Sequence, residues 1–232
     1  KAPILASKNM YLDENGDFIE DKSTLGAMAV GVPGTIAGIF ETHKKFGTLS
    51  IEEILKPVIE LAKRGVIVTK KQEKRIKYFQ PLFLKANKDS IIFSEKWQEN
   101  DTIKYPALAE TLTRIQQNGK EEFYNGETAK RLVKFIQENG GIITLEDLSK
   151  YEAKWRTPVT FKYDDLKVIS MGLPSSGGIC LNQMMKMIEP YNIKDMGHNT
   201  QKSIQLMVEA EKRSYADRSE FLGDPDFVQV PL

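Results

Sequence analysis

LKVISMGLPSSGGICLNQMMKMIE, residues 166–189, decides how the chain is read. Val168 and Ile169 lie in a short apolar run rich in β-branched residues. The run meets a turn punctuated by glycine and proline, and a methionine-rich segment with helical spacing follows. That order predicts strand, tight turn, helix. Ser175 and Ser176 fall where the helix N-cap belongs, and Gly177 and Gly178 let backbone approach the first-turn N–H groups, which have no partner inside the helix. The turn has two possible uses: a cradle for a small anion, or a plain cap that packs the helix on its strand. Serine-glycine turns usually do only the second.

Outward from this stretch the pattern continues on both sides. Val159, Phe161 and Tyr163 alternate with Thr160 and Lys162 and run into Asp164-Asp165, which predicts an antiparallel hairpin with Leu166 to Ser170. Strand, turn and helix thus occupy residues 157–189. Beyond it, Asn199 or Thr200 starts a last long helix on which Ile204, Val208, Glu211, Tyr215 and Arg218 share one stripe. Glu209 with Arg213, and Arg213 with Asp217, are opposite charges at i,i+4. The polar end of the stripe, Tyr215, Asp217 and Arg218, either lines a site or belongs to a buried ion-pair network, and the second is the commoner use. Gly223-Asp224-Pro225-Asp226 is a turn that redirects the chain.

The stretch from about residue 34 to 150 reads as capped amphipathic helices. Asn15-Gly16 ahead of it suits the tip of a hairpin. Pro33-Gly34 precedes a helix from Thr35 whose one face carries Ile36, Ile39, Phe40, His43 and Phe46. Gly31, Gly34 and Gly38 do not have the dinucleotide-binding spacing. Ser50 with Glu53 and Thr69 with Gln72 form capping boxes. The first of these opens a helix expected to bury Ile54, Val58, Leu61 and Ala62, and the second opens a basic helix with Ile76, Phe79, Leu82 and Phe83 on its apolar side. Glu73 and Pro81 interrupt that basic face, so it reads as solvated surface rather than a membrane anchor. Pro106 opens a helix with Leu108, Leu112 and Ile115 inward, Ala129, Leu132, Val133 and Ile136 mark the next, and Thr144 with Asp147 caps a short one.

Composition excludes more than it selects. Lys and Arg total 33 against 32 Asp and Glu, a net charge of +1, so no single-sign field points to nucleic acid or an anionic membrane. No run approaches the ~20 apolar residues that a membrane span needs. Cys180 is the sole cysteine, which rules out an internal disulfide, and it is expected to pack inside its helix. The sequence opens on Lys1 rather than methionine and stops at Leu232 just after a proline, which reads as a piece of a longer polypeptide. His43 lies on an apolar helix face and His198 in a Gly-His-Asn turn, neither beside a nucleophile motif, and the GxSxG elbow is missing because Gly172-Leu173-Pro174 precede the serines. Two histidines and one dispersed cysteine make no zinc site, and no carboxylate pair stands out as acid and base. The residues alone yield a helix-rich α+β unit with no catalytic centre, metal or cofactor.

Four segments in order carry a resemblance: AVGVPGTIAG at 29–38, GGIITLEDLSKYEAKWRTPV at 140–159, PSSGG at 174–178 and YADRSEFLGDPDFVQVP at 215–231. Together they resemble the γ-glutamyltranspeptidase family, across nearly all of residues 1–232 as one partial region of its large subunit. The resemblance implies part of an αββα N-terminal-nucleophile hydrolase fold. It also implies a precursor that cuts itself, a small-subunit partner, γ-glutamyl substrates such as glutathione, and a periplasmic or secreted parent. It places the nucleophile, a threonine whose own α-amine is the base, outside this chain; Thr35, Thr69 and Thr144 serve instead as a helix start and caps. The arginine that grips the substrate α-carboxylate is expected just before Lys1, because Lys1-Ala2-Pro3 looks like the tail of an R-E-x-A-P-like motif. No catalytic, substrate-binding or metal residue is therefore carried onto residues 1–232. A related β-lactam side-chain acylase and a non-catalytic binding module of the same fold are the alternatives.

Overall fold

Local sequence signals set most element boundaries. A computed structural model describes residues 1–87 and 89–231, which group into two compact units, Lys1–Ala153 and Lys154–Leu232. The first unit contains α1 (Thr35–Phe46), α2 (Ile51–Arg64), α3 (Lys70–Ala86), α4 (Pro106–Asn118), α5 (Lys120–Tyr124), α6 (Glu127–Glu138) and α7 (Leu145–Ser149). Between them a short ribbon pairs β1 (Val66–Ile67) with β2 (Thr102–Ile103) antiparallel. Ser50 with Glu53, Thr69 with Gln72 and Thr144 with Asp147 all close as reciprocal capping boxes, so α2, α3 and α7 begin where the sequence says. The second unit contains β3 (Val159–Tyr163), β4 (Leu166–Ser170), α8 (Gly177–Ile188) and α9 (Gln201–Phe221). β3 and β4 form the expected hairpin in the register Val159 with Ser170 through Tyr163 with Leu166, turning at Asp164, whose φ is 52°.

The start of α1 is held by a partner far away in sequence. Its N-cap, Gly34, supplies no side-chain acceptor; the Tyr124 hydroxyl instead accepts a hydrogen bond from the Ala37 N–H at 3.0 Å and donates to the Pro33 carbonyl at 3.0 Å. Tyr124 is buried and stacks on Tyr151 with ring centroids 5.7 Å apart. A Cβ on Gly34 would overlap the Tyr151 hydroxyl, so only glycine admits this ring over the helix start. Val32, Ala37, Ala129, Val133, Ile136, Ile143 and Leu148 complete the core around Tyr124.

Several helix faces differ from the sequence reading. On α2 the buried residues are Ile59 and Ala62, with Leu55 packed beside them against Ala109 and Leu112 of α4; Ile54, Val58 and Leu61 are exposed. The helix carries two apolar stripes one residue out of phase, and only one can meet α4. Ala109 and Ile115 face inward from α4 while Leu108 is exposed, and Leu82 of α3 is likewise exposed. On α1 the buried residue is Ala37, with Ile39 and Phe46 in solvent.

Among the described residues of this unit two carboxylates are buried, and each ties segments together. Glu122 accepts hydrogen bonds from Arg114 Nε at 3.0 Å and from the N–H and hydroxyl of Thr128 at 3.0 and 2.8 Å, joining α4, α5 and α6. Asp147 accepts from the Thr144 N–H and hydroxyl, and its other oxygen accepts from the Ile4 N–H at 2.6 Å. The Lys1 carbonyl accepts from the Val32 N–H at 3.0 Å, so residues 1–4 are fastened at two points. Burial pushes the Asp147 carboxyl upward, but the hydrogen bonds from Thr144 and Ile4 together outweigh it and hold the group below the usual aspartate range.

Asp147→Asn is expected to lower the stability of the full-length protein by about 2 kcal/mol at neutral pH, measured by the denaturant midpoint. Because the folded carboxyl titrates below its unfolded value near 3.9, this contribution is complete above about pH 4 and fades as pH falls through the lower folded value. A difference between wild type and variant that does not shrink on acidification contradicts the assignment.

Candidate functional site

The PSSGG turn and the C-terminal half of α9 form one hydrogen-bonded cluster in the second unit. The approach of α8 to the hairpin depends on Gly178: a Cβ there would overlap the Met171 carbonyl oxygen and lie 2.8 Å from Val159 Cβ. The helix therefore starts on a backbone contact that a larger residue does not permit. Leu173-Pro174 is a cis peptide bond. Ser176 occupies the N-cap position in helical conformation and accepts no capping bond; the Ser175 hydroxyl accepts one from the Gly177 N–H at 3.2 Å.

α9 closes over this turn from the other side. Arg218 Nε donates to the Ser176 hydroxyl at 3.1 Å, and the guanidinium lies over the Tyr215 ring, 5.8 Å from its centroid. Asp217 accepts from Gln183 Nε2 at 2.9 Å rather than pairing with Arg213, which bonds Glu209 at 3.0 Å. The buried Ser214 hydroxyl lies 3.0 Å from Gln183 Oε1 and 3.2 Å from the Cys180 carbonyl, two acceptors that share its single proton. What joins α8 to α9 is thus a chain of neutral and singly charged hydrogen bonds, not the buried ion-pair network expected from sequence. Gln183 makes the difference: its amide satisfies the Asp217 carboxylate without bringing a second charge into the interface. Cys180 is buried.

An ion cluster that sequence reasoning missed lies beside the turn. Lys154 Nζ and an Arg156 guanidinium nitrogen donate to Asp226 at 2.7 and 2.9 Å, and Arg156 also lies 3.8 Å from Asp224. The Lys154 and Arg156 hydrogen bonds hold the Asp226 carboxyl below its usual range. The Gly-Asp-Pro-Asp turn is therefore an anchor as well as a bend. Nothing local announces it, because the partners stand about 70 residues apart. A depression of about 670 Å³ opens here between Lys154, Arg156 and residues 169–174.

Each histidine has a local partner. His43 Nε2 donates to the Leu49 carbonyl at 2.7 Å, closing the end of α1, and His198 lies 3.2 Å from the Asn199 amide. Among the described residues no group of three or more His, Cys, Asp or Glu is placed to hold a metal ion, and no helix is long and apolar enough to cross a membrane. Ser176 and Arg218 of the cluster join α9 to the turn that starts α8, while Ser175 bonds within the turn and Tyr215 meets Arg218 on its own helix.

Comparison with known proteins agrees with the four sequence segments. In a solved γ-glutamyltranspeptidase from Pseudomonas nitroreducens, complexed with L-DON, the matching region is 41% identical with a TM-score of 0.95, covering 100% of this chain and 69% of that one. The fold is that of the N-terminal-nucleophile hydrolases. A family model described as Gamma-glutamyltranspeptidase matches residues 1–232, and the chain belongs to that family. The "Glutathione hydrolase proenzyme" of Escherichia coli K12 is 40% identical over 99% of this chain and 40% of its own length. The "Acylase ACY 1 proenzyme" of Pseudomonas sp. strain V22 is 32% identical over 100% of this chain and 43% of its own. The chain thus spans about two fifths of the length of the curated relatives it matches.

Gly178→Ala is expected to destabilise the full-length protein by roughly 2 kcal/mol, through overlap with Met171 and Val159. Ser176→Ala, which removes one hydrogen bond from Arg218, is expected to cost under about 1 kcal/mol. Thermal or denaturant unfolding of both variants checks the order; a serine variant that costs more than the glycine variant reverses the roles given to the turn.

Proposed function

We propose that the parent protein hydrolyses or transfers the γ-glutamyl group of glutathione and related γ-glutamyl compounds, and that residues 1–232 are scaffold from its large subunit. The observation that carries this reading is the family match over the whole chain, together with relatives named glutathione hydrolase proenzymes. A threonine outside these residues, freed by self-cleavage, attacks the γ-carbonyl while its own α-amine takes the hydroxyl proton. The leaving amine then departs with that proton, and water or an amino acid releases the acyl group. The small subunit that carries this threonine is the partner, and the parent acts in the periplasm or outside the cell.

Two features of the chain support a scaffolding role. The doubly fastened segment Lys1 to Ile4 is a rigid lead-in for an arginine placed immediately ahead of Lys1, where it grips the substrate α-carboxylate. Exposed apolar side chains, Ile54, Val58 and Leu61 on α2 and Ile204, Val208 and Tyr215 on α9, provide surface for further protein to cover. The 32% identity to an acylase proenzyme favours a second reading, hydrolysis of a β-lactam side-chain amide by the same nucleophile.

The full-length gene product is expected to cleave itself into two chains and to release p-nitroaniline from γ-glutamyl-p-nitroanilide, while residues 1–232 expressed alone release none. Gel analysis and absorbance measure both. Activity from the 232-residue piece overturns the placement of the nucleophile. A self-cleaving product that opens only β-lactam side-chain amides assigns the acylase reaction instead.

A further inference from the structure

The first unit holds a cavity of about 240 Å³ that the proposed reaction does not use. Its floor is Val66 and Ile103 of the β1–β2 ribbon, with Val68 just beyond β1. One face of α3 forms a wall, with Ile76, Phe79 and Phe83 recurring at helical spacing. Phe93 and Tyr105 close the opposite side; the Phe93 ring centroid is 5.8 Å from that of Phe83 and 6.3 Å from that of Tyr105. Aromatic and aliphatic groups thus line a hollow of about 240 Å³ that opens to solvent on one side. Water there finds few hydrogen-bond partners, so exchanging it for an apolar body of similar volume is favourable.

The polar groups that reach this cavity include two donors one turn apart on α3. Arg75 is the one charged residue of the lining, and among the described residues no carboxylate pairs with it; its guanidinium lies 5.8 Å from the Phe79 ring centroid. Gln72, three residues earlier, commits its Oε1 to the N–H and hydroxyl of Thr69 in the capping box. Its Nε2 donates to no described residue. A guanidinium fork beside an amide donor suits a carboxylate, which accepts two parallel hydrogen bonds from arginine.

We infer that this cavity binds a small arylalkyl carboxylate. Its ring sits among Phe79, Phe83, Phe93 and Tyr105, and its carboxylate lies on Arg75 with the Gln72 amide as second donor. The fit combines an aromatic-lined hollow too small for a drug-sized molecule with an unpaired cation at its rim.

Calorimetric titration of the full-length protein with 3-phenylpropionate, and separately with the uncharged 3-phenylpropionamide, tests this. The carboxylate is expected to bind saturably at one site per chain and at least tenfold tighter than the amide. Arg75→Met is expected to weaken the carboxylate about tenfold without changing the amide, and Ile76→Trp, which fills the hollow, to abolish both. Arg75 is exposed and makes no ion pair among the described residues, so its variant reports on binding even where the tryptophan variant fails to fold. Equal affinities for acid and amide, undiminished binding to the Arg75→Met protein, or no binding of either compound overturns the inference. So does a carboxylate affinity that collapses in saturating L-glutamate, which assigns the ligand to the γ-glutamyl site.

Discussion

Close approach of side chain or strand to the first turn of a helix is the constraint on which both units rest. At α1 the Tyr151 ring lies where any Cβ on residue 34 would stand, and its stacking partner Tyr124 supplies the cap that the helix lacks. At α8 the Met171 carbonyl and Val159 occupy the space that a side chain on residue 178 would take. In each case a glycine removes the obstacle and a distant group fills the opening, so the helix start becomes a tertiary joint rather than a local feature. The two most distinctive glycine-bearing segments of the sequence, AVGVPGTIAG and PSSGG, each owe one glycine, Gly34 and Gly178, to this geometry.

The buried polar groups have a similar economy. Glu122 and Asp147 are both removed from solvent, and each is met by several donors from segments that would otherwise be free to slide. Desolvation works against the charged form of each carboxylate, yet the donors hold both below their ordinary range. In the second unit Gln183 plays the corresponding part with a neutral amide, donating to Asp217 and accepting from Ser214. These contacts fix the register of helices, because a one-residue shift would leave a buried acceptor without a partner.

Much of this was legible from residues alone, and the limits have physical causes. Capping boxes and the hairpin are local, so Ser50, Thr69, Thr144 and the alternation from Val159 to Tyr163 announce themselves. Which of two apolar stripes on α2 turns inward depends on α4, and hydropathy cannot choose between Ile54-Val58-Leu61 and Leu55-Ile59-Ala62. The Tyr124 cap, the Asp226 anchor and the Gln183 bridge join residues 87, 70 and 34 positions apart, beyond the reach of any spacing rule. The family was readable because its marks are contiguous motifs. A reaction centre was not, because no nucleophile and base share a motif in the chain, and Asp217 and Arg218 fasten α9 to α8 and its turn.

The sealing of Cys180 has a practical consequence. Its thiol is the only one in the chain and is buried, on a residue whose carbonyl accepts a hydrogen bond from Ser214. A thiol reagent reaches it only when the packing around α8 opens, so the modification rate follows the frequency of that local opening. The second unit thereby carries an internal gauge of its own breathing, with no label to be engineered.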